Sequence, residues 1–172
     1  METNKFLLVS GLLTFTISLL LGCRYQNNPH KLSSQTLYIE NIRNNSLAPQ
    51  LSSFLNTNLR KEIIKRGYYD LVQNKDSADL LLFLTVDDYV KNTEAYSPQD
   101  TLLATGFSSS INVYLSLKDK KGDTLIDNKL IKETSSALRE NISTSPSSRE
   151  SIHYLSIGMA RKISNTLENY NW

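Results

Sequence analysis

From Thr36 onward apolar and polar residues alternate, with Leu37 and Ile39 on one side of the chain and Tyr38 and Glu40 on the other. A period of two is what a half-buried strand requires, so a first strand is predicted, running to about Ile42. Asn44-Asn45-Ser46 reads as a turn that offers Ser46 as a helix N-cap. Pro49 then falls in the first helical turn, where backbone N–H groups have no intrahelical partner. Beyond it the period changes. Leu51, Phe54, Leu55, Leu59 and Ile63 recur at spacings of three and four, and Asn56, Arg60, Lys61 and Lys65 take the opposite side. This is an amphipathic helix. Gly67 is placed to end it in the left-handed conformation, and Lys61, Lys65 and Arg66 complement the negative end of its dipole.

Tyr68 to Val72 is a candidate short extended piece, and Asn74-Lys75-Asp76-Ser77 a turn. Leu80 to Val90 carries Leu80, Leu82, Leu84 and Val86 on one face and Leu81 and Phe83 on the other, the mark of a strand central in its sheet. Phe107, Ile111, Val113, Leu115 and Leu117 alternate with Ser108, Ser110, Asn112, Tyr114 and Ser116, predicting a half-exposed antiparallel strand. Asp119-Lys120-Lys121-Gly122-Asp123 supplies a hairpin turn with a glycine available for positive φ. Leu125 to Thr134 follows as a fourth strand whose alternation breaks near Asn128, at a bulge or a switch of face. Residues 92–104 and 135–148 are polar, contain Pro98 and Pro146, and read as two long loops. Ser147 with Glu150 forms a capping box. Ile152, Leu155, Met159, Ile163 and Leu167 then give a second amphipathic helix to about Tyr170. The predicted fold is α+β in the order β-α-β-β-β-α. It is a two-layer sandwich in which a mostly antiparallel four-stranded sheet has two helices on one face.

The N-terminus obeys different rules. Met1 to Lys5 is a short polar head, and Phe6 to Leu21 is a run of 16 residues without charge. A membrane span needs roughly 20 residues, so the run has the layout of a secretory signal. It closes on Leu20-Leu21-Gly22-Cys23, a bacterial lipobox, and Cys23 is the only cysteine in the chain. A lone thiol cannot belong to a disulfide framework, whereas acylation needs a thiol for the thioether and small neighbours for the signal peptidase. The expected organisation is a lipoprotein signal peptide at 1–22, a lipidated tether at 23–34 and one α+β domain at 35–172. Arg24 follows the cysteine where an aspartate would favour retention in the inner membrane, so the outer membrane, periplasmic face, is the expected location.

Composition changes this picture little. The chain is 40% hydrophobic and 21% charged, ordinary for a globular protein, and its net charge of +2 is far too small for a nucleic-acid binder. Candidate chemistry is sparse. The two histidines are His30, in the tether, and His153, on the last helix, and neither stands at metal-ligand spacing with other donors. No phosphate-binding glycine loop, G-x-S-x-G elbow or S-x-x-K motif occurs. Asp87-Asp88 could be an acid pair, but adjacent strand residues face opposite ways. No enzyme and no cofactor or metal is expected, apart from the covalent lipid on Cys23. Lys118, Lys120 and Lys121 cluster at the hairpin, with Lys129 and Lys132 on the next strand. Two readings stand for them: charges that blunt a sheet edge, or a local cationic patch that binds a phosphorylated glycolipid. Tyr89, Tyr96 and Tyr114 suit an interface and suit ordinary strand positions equally.

Several features together resemble a known family. They are the lipobox ending Gly22-Cys23, Tyr25, the strand Leu37-Tyr38-Ile39-Glu40-Asn41-Ile42 and an amphipathic helix. Ser77-Ala78-Asp79-Leu80 then opens a long strand, followed by a serine-rich alternating strand, a Lys-Lys-Gly-Asp hairpin and a last helix running to Asn171-Trp172. In this order they resemble the lipopolysaccharide-assembly lipoprotein (LptE-like) family, in a divergent branch. The resemblance covers nearly the whole chain. It implies an outer-membrane lipoprotein that plugs a β-barrel lipopolysaccharide-assembly partner and assists its assembly, so that lipopolysaccharide reaches the cell surface. Only Cys23 carries over residue by residue. Other readings of the same elements are a lipoprotein activator of a peptidoglycan synthase and a lipid-anchored structural module. A eukaryotic secreted protein, glycosylated at Asn44-Asn45-Ser46 and Asn141-Ile142-Ser143, is a further reading. The short gap between Cys23 and the first strand counts against the activator, which must span the periplasm.

Overall fold

The computed structural model describes residues 35–48, 50–96, 98, 104–138 and 148–170. The expected signal peptide at 1–22, Cys23, the expected tether with His30, Pro49, Pro146, Ser147 and the Asn171-Trp172 end lie outside the described residues. Strand β1 is Gln35–Ile39, β2 Arg43–Asn44, β3 Tyr69–Leu71, β4 Leu80–Tyr96, β5 Ala104–Asp119 and β6 Thr124–Leu138. Helix α1 is Leu51–Arg66 and α2 is Ser148–Glu168. The six strands form one sheet in the order β3-β1-β4-β5-β6, with β2 joining β4 just past the end of β1.

This corrects the expected mostly antiparallel, four-stranded sheet. β1 runs parallel to both its neighbours, with Leu37 beside Leu71 on β3 and beside Leu80 on β4. Only β4-β5 and β5-β6 are antiparallel. The reason lies in the connections. α1 carries the chain back to where β1 began, so the next strand can only run parallel to it. The tight Asp119–Asp123 turn, with Gly122 at φ +96°, instead reverses direction, as expected.

The core forms between the sheet and the helices. Leu51, Leu55, Leu59 and Ile63 of α1 and Ile152, Leu155, Met159, Ile163 and Leu167 of α2 join Leu37, Ile39, Leu80, Leu82, Leu84, Val86, Val113, Leu115 and Leu117 in one cluster. Phe54 is only half-buried at its margin. Each fully buried side chain of this type contributes about 1.5–3 kcal/mol before entropy is counted. Polar contacts set how the helices align. The Asn58 side-chain amide donates to Ser156 Oγ at 2.7 Å, and Arg66 donates to Asn165 Oδ1 at 2.6 Å and Glu168 Oε2 at 2.8 Å. Arg66 also pairs with Glu62 at 2.8 Å. Hydrogen bonds to Glu62 and then to Glu168 raise its pKa above the ordinary guanidinium value. Residue numbers rise together along these contacts, so α1 and α2 run parallel. A further tie comes from the Tyr69 hydroxyl, which donates to Leu167 O at 2.9 Å. Glu133 of β6 meets Lys162 of α2 at 2.7 Å, in space left by Gly158, where any Cβ would collide with the carboxylate.

Gly67 ends α1 in the left-handed conformation at φ +72°, its N–H donating to Ile63 O, as the sequence predicts. The expected Ser46 cap does not form. Gln50 occupies the N-cap position without a side-chain hydrogen bond. Ser46 is engaged in the preceding turn, where its N–H and hydroxyl both donate to Asn44 Oδ1 and its Oγ accepts from Ala48 N–H.

The two polar stretches are also shorter as loops than expected, because β4 continues to Tyr96, β5 starts at Ala104 and β6 runs to Leu138. At about 3.3 Å per residue the 17 residues of β4 extend roughly 56 Å. At 1.5 Å per residue the 16 residues of α1 cover about 24 Å. The far ends of the three long strands therefore outrun the first helix. There β4 is exposed or half-exposed from Asp87 onward, while β5 still buries Ser109 and Ile111.

β1 is fastened to the start of β4 by Asp79, whose Oδ2 accepts from the Thr36 N–H at 3.0 Å and the Thr36 hydroxyl at 2.7 Å. These two hydrogen bonds, backbone first, hold the Asp79 carboxyl below the ordinary carboxylate range, with a smaller attraction from Lys120. A depressed folded pKa stabilises the fold above the unfolded value of about 3.9. That contribution is lost as pH falls through the lower folded value. Asp79→Asn should therefore unfold at lower temperature than wild type above about pH 4, with the gap closing on acidification. Melting curves of the two proteins across the acid range check this, and a gap independent of pH would count against it.

Candidate interaction face

The sheet face turned away from the helices is the candidate interaction surface. Because β1, β4 and β5 alternate, burying Leu37, Leu82 and Leu115 aims Tyr38, Leu81, Phe83, Thr85, Tyr114 and Ser116 the other way. Register brings these residues side by side. Tyr38 pairs with Leu81 and Leu81 with Lys118, Phe83 pairs with Ser116, and Thr85 pairs with Tyr114, which pairs with Leu130. All are half-buried except Leu130, which is 41% exposed. Among the described residues no helix covers this face, and the result is an aromatic and aliphatic band across four strands.

Cations frame the band. The ammonium groups of Lys75 and Lys118 stand 5.9 and 5.8 Å from the centre of the Phe83 ring, within cation–π range. A groove of about 310 Å³ opens beside that ring, lined by Glu40, Asn41 and Arg43 on one side and Ser116 and Lys118 on the other. It exists because β1 leaves β4 after Ile39 and β2 rejoins it only at Arg43, paired with Thr85.

The structure separates the five candidate lysines. Lys118, Lys120 and Lys121 stand together at the β5–β6 turn, interspersed with Asp119 and Asp123. Asp119 Oδ1 accepts the Lys121 and Asp123 N–H groups, so it serves the turn. Lys132 pairs with Asn112 on the outer face, six residues up β5 from Lys118 and so about 20 Å away. Lys129 pairs with Leu115 and lies on the helix side, in a groove shared with Asn165 and Tyr170. Sequence reasoning did not single out Lys75, Arg43 or Phe83 as a group. The signal for Phe83 was present, as an aromatic on the second face of an alternating strand. That for Arg43 was not, since β2 is only two residues long.

The remaining candidates are dispersed. His153 is exposed, its ring edge-on to Phe54 at 5.6 Å. Asp87 and Asp88 are both exposed at a bulge in β4. Tyr89, grouped from sequence with exposed tyrosines, is instead half-buried against the core, whereas Tyr96 is 56% exposed. Among the described residues no group of three His, Cys, Asp or Glu could hold one metal ion, and no helix is long and apolar enough to cross a membrane.

The model of the LptE lipopolysaccharide-assembly family matches residues 34–167, which is almost all of the domain. The chain belongs to the LptE family. The family resemblance carried by the order of elements therefore holds. No curated protein matches the chain. Solved structures share the fold of this LptE member. A hypothetical protein, CT253, from Chlamydia trachomatis superposes with a TM-score of 0.59 at 8% identity, covering 80% of this chain and 98% of that one. The minor lipoprotein of Acinetobacter baumannii gives 0.51 at 14% identity, covering 79% and 94%. Rare lipoprotein B from Shewanella oneidensis gives 0.50 at 11%, covering 77% and 93%. At such identities the likeness is one of fold.

Proposed function

We propose that this LptE-family protein is an outer-membrane lipoprotein, acylated at Cys23, that plugs a β-barrel partner, assists its assembly and serves lipopolysaccharide transport to the cell surface. The observation that carries the reading is the family match over residues 34–167. The uncovered sheet face supports it physically. An aromatic and aliphatic band with a cationic rim has the composition of a surface that is buried in an assembly. No enzymatic role is proposed. Pull-down of the tagged protein from envelopes in mild detergent, with mass spectrometry of the co-purifying proteins, tests the reading. A stoichiometric outer-membrane barrel is expected. A cell-wall synthase, or no partner, would overturn the transport role.

Within this reading Lys118, Lys120 and Lys121 are the lysines able to meet one phosphorylated headgroup together. Lys129 and Lys132 stand apart from them and from each other. Reversing the charge of Lys120 and Lys121 to glutamate should weaken lipopolysaccharide binding about tenfold or more, since each lost charged hydrogen bond is worth about 1.5–3 kcal/mol. Both side chains are exposed, so the fold should survive. Unchanged affinity in a direct binding titration would remove these lysines from the site.

A further inference from the structure

A second site lies on the helix side of the sheet, where the start of β6 meets the last turns of α2. A groove of about 540 Å³ opens there, lined by Asp127, Lys129, Asn165, Thr166, Asn169 and Tyr170. That volume is within the ~300–1,000 Å³ range of small-ligand sites. A specific backbone device builds it. Ile126 pairs with Leu117 and Lys129 with Leu115, so three steps of β6 span two of β5. The extra residue is absorbed at Asn128, the one non-glycine residue with positive φ, at +42°, among the described residues. Its N–H is held by Ser116 Oγ at 3.0 Å. In an unbulged strand Ile126 and Lys129 would face opposite ways. The bulge puts both on the helix side, and re-aiming a side chain beside a site is a recurrent use of bulges.

The electrostatics of the groove select among ligand classes. An anion would meet the Asp127 carboxylate and the negative end of α2, whose last turn carries no basic residue. A cation would meet Lys129. An added peptide strand would find the ladder broken at Asn128, where the N–H is already engaged. A neutral ligand with many hydroxyl groups suits all of these features. Hydroxyls donate to Asp127 and to the amide oxygen of Asn169, and they accept from Lys129 and Thr166. A sugar ring can lie on the half-buried Tyr170. No bond within the protein occupies the side chains of Asp127, Lys129 or Asn169 among the described residues, whereas Asn165 Oδ1 already accepts from Arg66.

We propose that this groove is a binding site for a neutral glycan of two or three sugar units. The site is separate from the anionic chemistry of the outer face, and it stands whether or not the barrel reading holds.

The test uses the full acylated chain in a detergent without a sugar headgroup, titrated calorimetrically with maltotriose, mannotriose and chitotriose, and with mannose 6-phosphate as an anionic control. Saturable binding of at least one neutral trisaccharide is expected, with a dissociation constant of about 1 mM or below. The double variant Asp127→Ala/Asn169→Ala, at two exposed positions, should weaken it about tenfold or more. Val90→Ala, at a β4 residue that does not line the groove, should leave it unchanged. Three results would overturn the proposal: no saturable binding by any trisaccharide, equal affinity in the double variant while its melting temperature matches wild type, or tighter binding of the sugar phosphate.

Discussion

Replacing Cys23 by serine is expected to abolish incorporation of labelled fatty acid and to leave a precursor that still carries residues 1–22. The thiol is the only one in the chain, so no second residue can take the thioether. The energetics make the effect large. Each buried methylene contributes about 0.8 kcal/mol, one chain binds only marginally, and stable anchoring needs more than one. A fully acylated lipoprotein carries three, so the anchored protein should not leave the membrane on any experimental timescale. Metabolic labelling followed by gel electrophoresis reads both consequences. Label that persists in Cys23→Ser would place the lipid elsewhere or make it adventitious. Release from membranes is the weaker readout, because a protein held inside a barrel would sediment with it even without lipid.

The expectation of a lipobox rests on local chemistry alone, in four adjacent residues outside the described part of the structure. The core was legible for a related reason. Where helices cover one face of the sheet, the alternation from Leu80 to Val86 and from Ile111 to Leu117 and the three-four spacing from Leu51 to Ile63 record which side chains are buried. Past Val86 in β4 that record ends. With residues 92–96 all exposed the strand has no period to show there, so 92–104 resembled a loop although β4 and β5 occupy part of it. Strand direction was hidden too. Nothing in Leu37-Tyr38-Ile39 distinguishes parallel from antiparallel neighbours, because the α1 crossover decides that. β2 and β3, at two and three residues, are too short for periodicity to register.

The candidate lysines show how register limits reading of a surface. Lys129 and Lys132 look like one patch along the chain. An odd spacing of three in a strand puts them on opposite faces, and the pairings with Leu115 and Asn112 agree. That much was available from the sequence. The break in alternation at Asn128 was visible as well, but its consequence was not, because only the pairing with β5 reveals which residues the bulge moves to the helix side. The Phe83 groove belongs to a third category. It depends on β1 parting from β4 between Ile39 and Arg43, a tertiary event with no local signature.

Leu115→Ala should cost about 2–5 kcal/mol of folding stability, while Val90→Ala should change it by no more than about 0.5 kcal/mol. Both residues sit in long strands of the same sheet, and both are aliphatic. Leu115 is fully buried at the centre of β5, between Leu84 and Lys129 and among the core residues of both helices. Truncating it removes buried methylenes and leaves a cavity the packed surroundings cannot fill. Val90 is 38% exposed, opposite Ser110, in the part of β4 beyond the buried alternation. Solvent already reaches it, so truncation opens no cavity. Urea unfolding separates the two outcomes. With a slope of about 1–3 kcal/mol per molar, Leu115→Ala should lower the midpoint by roughly 1–3 M, and Val90→Ala should leave it within error. A comparable loss at Val90 would mean that the exposed end of β4 belongs to the same cooperative core. If the small effect holds, the exposed end of β4 can carry a partner's contacts without being needed for folding, and substitutions there become clean probes of assembly.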